Sequence, residues 1–250
     1  MKKPILYSEF AYVFGVVFVA VGVALMEKAD FGVSMVVAPA YVFYRWLNPV
    51  WSFFSFGMAE YCLQAVLLLA MALVLRRFRV SYLLSLATAV IYGFVLDGCM
   101  LLAVYLPANA ILFRVLWYVL GILICSAGVS MMFHTYLSPE VYELFVKEVS
   151  SHFGVEVHRF KTGYDIVSCL TGLVLSFLCF GFGRFVGVKW GTTLCAAVNG
   201  FIIGAFSRFY EKAFIFCDLL PWRPFFTGET SISDPRRAEI EGGNGNEASR

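Results

Sequence analysis

Runs of about twenty apolar residues alternate along this chain with short clusters of charge. At the rise of an α-helix, such a run matches the roughly 30 Å hydrocarbon core of a bilayer. The pattern predicts helical stretches at about 8–27, 31–47, 55–75, 81–105, 110–133, 161–182 and 189–216. A further segment, SPEVYELFVKEVSSHFG (138–154), follows a different rule. It carries Glu140, Glu143, Lys147, Glu148 and His152, with Val141, Leu144, Phe145 and Val149 at spacings of three and four. That is an amphipathic helix. Each charge costs about 2.5–3.5 kcal/mol near the bilayer centre, so the helix is expected at an interface or in a protein-lined cavity, without crossing.

The stretch EKADFGVS (27–34) raises the same question for 31–47. Sliding the chain against itself places GVALM (22–26) on GVSMM (128–132) at an offset of 106, and Gly57 on Gly163. One residue further on, Arg77-Phe78 falls on Arg184-Phe185 and Gly93-Phe94 on Gly200-Phe201. The order span, short helix, span, basic loop, span occurs twice, which reads as an internal duplication. The segment 31–47 is then the partner of 138–154, and neither crosses.

Charge tests this independently. With six crossings, eleven Lys and Arg residues fall on the N-terminal side, among them Lys2, Lys3, Arg76, Arg77 and Arg79. Five fall on the other: Lys28, Arg45, Arg114, Arg184 and Lys189. A seventh crossing would carry Arg76, Arg77 and Arg79 outside, against the positive-inside rule. Three crossings per half place the halves in opposite orientations, a recurring transporter design. The expected architecture is an all-α polytopic membrane bundle of six spans in two inverted three-span repeats, 1–107 and 108–217, each with one short non-spanning helix. A polar, Gly-, Ser- and charge-rich tail, 218–250, is expected to be disordered and cytoplasmic.

Composition agrees: 60% of the 250 residues are hydrophobic and 14% charged, where soluble domains carry roughly a quarter charged. The seven cysteines show no paired spacing and read as reduced, structural thiols. The net charge of +2 points to no particular partner.

Charges inside spans carry most of the functional information. Asp97, in IYGFVLDGCM, has apolar neighbours on both sides and reads either as a substrate or proton site or as a helix-packing acid. Glu60, Gln64, Asp165 and Asn199 join Asp97 as candidates for a substrate or proton site; Glu60 and Asp165, near the starts of their spans, are expected first of all to hold the preceding short helix in place. Gln64 lies one turn beyond Glu60 on the same face. Asn199 is a midspan amide suited to interhelical hydrogen bonding. Glu27 and Asp30 read as an ordinary charged loop or as a gate at the mouth of the short helix. Gly200-Phe-Ile-Ile-Gly204 lets two helices approach closely. His134, His152 and His158 share no metal-ligand spacing, so no metal is assigned. Nor is any cofactor, nucleophile–base pair or nucleic-acid surface, so an enzyme is not expected.

EKADFGVS, GFVLDG, KTGYD and AAVNGFIIG together resemble the signatures of the YczE/YitT-like bacterial membrane proteins, over roughly residues 10 to 215. The chain departs from them at Met35-Val36-Val37, where many members have Pro-Trp-Asp. The resemblance implies a bacterial inner-membrane location, with both termini cytoplasmic under the charge assignment, and brings no activity with it. Two functions follow: a permease for a small solute, with Asp97 and the short helices lining its path, or a membrane-embedded accessory protein. The accessory protein would dock a cytoplasmic partner through 138–154, the RRFR loop and the tail.

Overall fold

The computed structural model describes residues 4–76, 80–137, 140–155 and 157–220. The terminal Lys2 and Lys3, most of the RRFR cluster and the tail lie outside them. Eight α-helices follow in chain order: α1 (Ser8–Ala29), α2 (Ala38–Leu47), α3 (Phe56–Leu75), α4 (Val80–Ala103), α5 (Ile111–Phe133), α6 (Val141–Phe153), α7 (Val157–Phe180) and α8 (Trp190–Ala213). Five contain windows long and apolar enough to span a membrane, and α8, bent by 42° after Ala196, makes a sixth when its two parts are taken together. The chain is a multi-pass membrane protein.

The sequence placed these helices well, with two corrections. Residues 31–37 precede α2 without being helical. Gly32 adopts φ +108, and the chain there pairs with the loop before α8, Val33 N–H donating to the Gly187 carbonyl and Gly191 N–H to that of Phe31. The helix expected to reach 216 ends at Ala213. A short strand β2 (Ile215–Cys217) follows it and pairs in parallel with β1 (Ile5–Tyr7). Among the described residues the bundle is therefore all-α apart from one two-stranded ribbon. Strands immediately before the first span and after the last can pair only at one end of the bundle, so the number of crossings is even.

The short helices begin at mid-height. Ala38, the first residue of α2, packs against Gly172 near the middle of α7. The backbone N–H of Val141, the first residue of α6, donates to Gln64 near the middle of α3 at 3.1 Å. Ten residues of α2 cover about 15 Å, half a bilayer core. The helix leads back to the face where α1 ended: Lys28 Nζ donates to the Val104 carbonyl just beyond α4, and Ser55, before α3, bonds Asp97 near the end of α4. The α6 helix likewise returns to the face of the chain ends, where Tyr82 at the start of α4 donates to Glu148. Neither 31–47 nor the described part of 138–154, which is α6 and its flanking residues from Glu140, crosses.

At the centre α1 and α5 run antiparallel. Gly15 lies against Gly128 and Met132, and Gly22 against Gly121 and Cys125. A Cβ on Gly22 would sit 2.6 Å from the Cys125 backbone nitrogen and 2.7 Å from the Gly121 carbonyl oxygen. These glycines, unremarked in the sequence apart from Gly22 and Gly128, are what lets the backbones touch. Gly200 and Gly204 make no such approach, since a Cβ on either meets nothing within 4 Å. The two short helices pack crosswise: α2 contacts α3 and α7, and α6 contacts α7 and α3.

Gly22→Ala is therefore expected to destabilise the protein by about 1–3 kcal/mol through backbone collision. Gly200→Ala is expected to be neutral or to stabilise by up to about 1 kcal/mol through helix propensity. Melting curves in detergent, followed by size-exclusion chromatography, compare the two.

Candidate functional site

Asp97 lies six residues before the end of α4 and faces the start of α3. Its Oδ1 accepts the Gly57 N–H at 2.7 Å, and its Oδ2 accepts the Ser55 hydroxyl. Ser55 in turn accepts from Met58 N–H at 3.1 Å. The first turn of a helix has N–H groups with no intrahelical partner, and a carboxylate suits its positive end. Gly57 and Gly93 make this possible, because a Cβ on Gly57 would lie 2.1 Å from the Gly93 carbonyl oxygen. Asp97 thus ties α4 to α3. A depression of about 290 Å³ beside it is lined by Tyr44, Asn48, Ser52 and Ser55.

Glu27 and Asp30 belong to a polar cluster on that same face. Asp30 closes α1 in the left-handed conformation, φ 58, its N–H donating to the Glu27 carbonyl. Its carboxylate takes Arg114 of α5 at 3.1 Å and Lys189, just before α8. Arg114 also donates to the Ala29 carbonyl and lies over the Phe31 ring, 5.0 Å from its centroid. Tyr41 of α2 donates to Glu27 at 3.1 Å. EKAD is a clamp joining the ends of four helices, around a pocket of about 90 Å³ that Arg45 also lines.

The polar groups at mid-height are arranged differently. Glu60 and Gln64, both fully buried, point from α3 at the first turn of α6. Gln64 accepts the Val141 N–H, and Glu60 Oε2 accepts the Tyr142 hydroxyl at 2.7 Å. Glu60 does hold a short helix, but it is the one from the other half of the chain, and the expectation that it holds the preceding helix is corrected by this bond. Asp165 lies on α7, with Oδ1 buried and without a partner. Asn199, just past the bend in α8, accepts from Ser126 of α5 at 2.7 Å.

Beside the start of α6 lies a cavity of about 60 Å³. Its walls include Val19 and Val23 from the middle of α1, Ser34, Val36 and Val37 before α2, Tyr92 from α4, Cys125 and Val129 from α5, and Asn199 from α8. Glu140, Tyr142, Glu143 and Lys161 supply the rest of its polar lining. Glu140 is 6% exposed and Tyr92 0%, yet Glu140 Oε1 and the Tyr92 hydroxyl have no hydrogen-bond partner. Buried polar atoms are rarely left so. Burial pushes the Glu140 carboxyl well above the usual carboxylate range, and the acidic neighbours Glu143 and Glu60 push it the same way. Among the described residues, no three of His, Cys, Asp and Glu are placed to hold a metal ion.

Of the residues singled out in the sequence, Asn199 reaches this cavity, Glu60 and Gln64 support its wall, and Asp97, Glu27 and Asp30 do not meet it. Glu140 was read only as one charge of an amphipathic helix, and Tyr92 was hidden in an apolar run. Glu140 carried a usable signal, as an acid at the N-cap of a helix too short to cross.

The family DUF6198, a family of unknown function, matches residues 6–208, and the chain belongs to it. No curated protein and no solved structure matches the chain.

Asp97→Ala leaves the first turn of α3 without two of its partners and is expected to cost about 1–3 kcal/mol. Asp97→Asn keeps an acceptor for Gly57 N–H and is expected to cost less. Thermal melts of both variants measure the difference.

Proposed function

We propose that the protein is a bacterial inner-membrane permease or secondary transporter for a small solute, with its site at the cavity beside the start of α6. The carrying observation is that cavity: it lies at mid-height beside two helices that begin there, and it holds buried polar atoms that no protein group satisfies. Irregular backbone at membrane depth is tolerated where it lines such a space.

Two inverted repeats would account for the architecture. Gly15 and Gly22 recur as Gly121 and Gly128 at the offset of 106 read from GVALM and GVSMM. They meet crosswise between antiparallel helices, and each half's short helix packs on a long helix of the other half. Sites where such repeats meet are a transporter feature. The motifs shared with YczE/YitT-like proteins fit the same membrane architecture. No covalent chemistry is invoked.

The accessory-protein reading needs an apolar patch on 138–154 free for a partner. The apolar side of α6 (Val141, Leu144, Val146 and Val149) is instead buried within the bundle, which favours the permease.

Proteoliposomes challenged with isosmotic small neutral and charged solutes should swell selectively. Val36→Phe, which fills the cavity, should suppress that swelling while the protein still elutes as a folded species. Folded protein that passes no solute faster than empty vesicles refutes transport. For orientation, Phe153→Cys should react with an impermeant maleimide only from the cytoplasmic side and Tyr105→Cys only from the other. Labelling of both from one side contradicts the topology.

A further inference from the structure

Charge in the cavity is unevenly matched. Glu140 is faced by Tyr12 from α1, Glu60 from α3, Tyr92 from α4, Cys125 from α5, Tyr142 and Glu143 on its own helix, and Lys161 from α7. Among the described residues Lys161 is the single cation in that set, against three carboxyl groups, and Asp165 on α7 also draws on its charge. When Lys161 is set against one carboxylate, two acids remain in a buried space. An isolated buried carboxylate is too costly to persist, so each remaining acid holds a proton or a bound cation.

Glu60 Oε2 accepts from the Tyr142 hydroxyl, and although its Oε1 is buried without a partner, Glu60 does not line the cavity. Glu140 does, and its Oε1 is buried and unpartnered on the cavity wall, as is the Tyr92 hydroxyl. These two groups from different helices are the chemistry the cavity offers a ligand: an acid that can become an anion and a phenol oxygen that can accept. A cation takes both. An anion would meet two or three carboxyls, and a neutral solute would leave the charge imbalance as it was.

We propose that this cavity binds a small monovalent cation, a protonated amine or an alkali ion, at Glu140 and Tyr92 in exchange for the Glu140 proton. The exchange balances: the neutral carboxyl releases a proton to water, and the cation's charge is met by the carboxylate left behind. The volume of about 60 Å³ sets the size, since a water-sized sphere needs about 10–15 Å³ and the cavity holds about four to six. Methylammonium or a largely dehydrated sodium ion fits; N-methyl-D-glucamine does not. The inference rests on the permease reading for its purpose, although binding is measurable without transport.

The test uses the full-length protein in detergent, in N-methyl-D-glucamine chloride at constant ionic strength. Methylammonium chloride, sodium chloride, potassium chloride and neutral acetamide are each titrated in by calorimetry, with proton release followed in weak buffer. Saturable binding of methylammonium, of an alkali ion or of both, with release of a proton and an affinity that rises with pH, is expected, and the responding salt names the source. Glu140→Gln should weaken binding by about tenfold or more and abolish proton release, as loss of a charge-assisted contact requires. Tyr92→Phe removes a hydroxyl with no protein partner, so it should fold normally and weaken binding several-fold; it decides the matter if Glu140→Gln proves unstable. Binding of acetamide alone, no cation binding, or cation binding unchanged in Tyr92→Phe and Glu140→Gln overturns the assignment. Cation binding without solute flux removes the permease reading and leaves this site, while flux of a neutral solute without cation binding does the reverse.

Discussion

A helix that starts halfway through a bilayer exposes its first N–H groups where no water is available to accept from them. Two helices of this protein start there, and much of the structure answers that requirement. For α6 the answer comes from α3: the Gln64 side chain accepts the Val141 N–H, and the Glu60–Tyr142 bond fixes the same turn. For α2 part of the requirement is removed by composition, since Pro39 in the first turn has no N–H. Just before it, Val37 N–H donates to the Ser34 carbonyl in a tight turn. The extended segment leading into α2 is bound in turn to the loop before α8 by the Val33–Gly187 and Phe31–Gly191 hydrogen bonds. Each short helix is thus held from the opposite half of the chain.

That exchange needs the halves to lie close together, and α1 and α5 bring them there. Lipid gives helices no hydrophobic reason to prefer each other, so association depends on packing and polar bonds. The four glycines between α1 and α5 bring backbone against backbone, and the Asp30 clamp with Arg114 and Lys189 fixes the two halves at one face. At the other face Glu9 accepts from Tyr136 and from the backbone of Leu219 and Leu220, while Ser8 donates to Asp218. Both ends of the α1–α5 pair are therefore held by polar bonds in the interfacial region, where such groups cost little, and its middle is held by contact alone.

The spans were legible because hydrophobic periodicity and length are local properties. The refusal of 31–47 and 138–154 to cross was legible for a related reason: charge counts and self-similarity constrain the whole path at once. What the sequence did not disclose was partner choice. Glu60 was expected to serve the preceding short helix because neighbours in sequence are the default; the exchange of short helices between halves is a tertiary fact with no local mark. GFIIG looked like a contact because small residues at that spacing allow one, but in α8 nothing approaches it, and the equivalent work falls to glycines spaced seven apart on α1 and α5. The β1–β2 ribbon escaped notice because strands of three residues carry too little pattern.

That the cavity went unread in the sequence has a more specific cause. An acid in an apolar helix is a strong signal that something unusual is nearby, but a helix N-terminus is as good a reason as a ligand. Asp97 sits in α4 for the first turn of α3, and Glu60 sits in α3 for the first turn of α6; both acids answer backbone N–H or hydroxyl donors that the fold itself supplies. Polar groups that the architecture consumes say little about solutes. Those left over once the architecture is satisfied say more, and in the central cavity these are the Glu140 oxygen and the Tyr92 hydroxyl. A buried atom without a partner costs about 1–3 kcal/mol, and two of them on the wall of one space are tolerated most simply if that space is where the protein meets something other than itself.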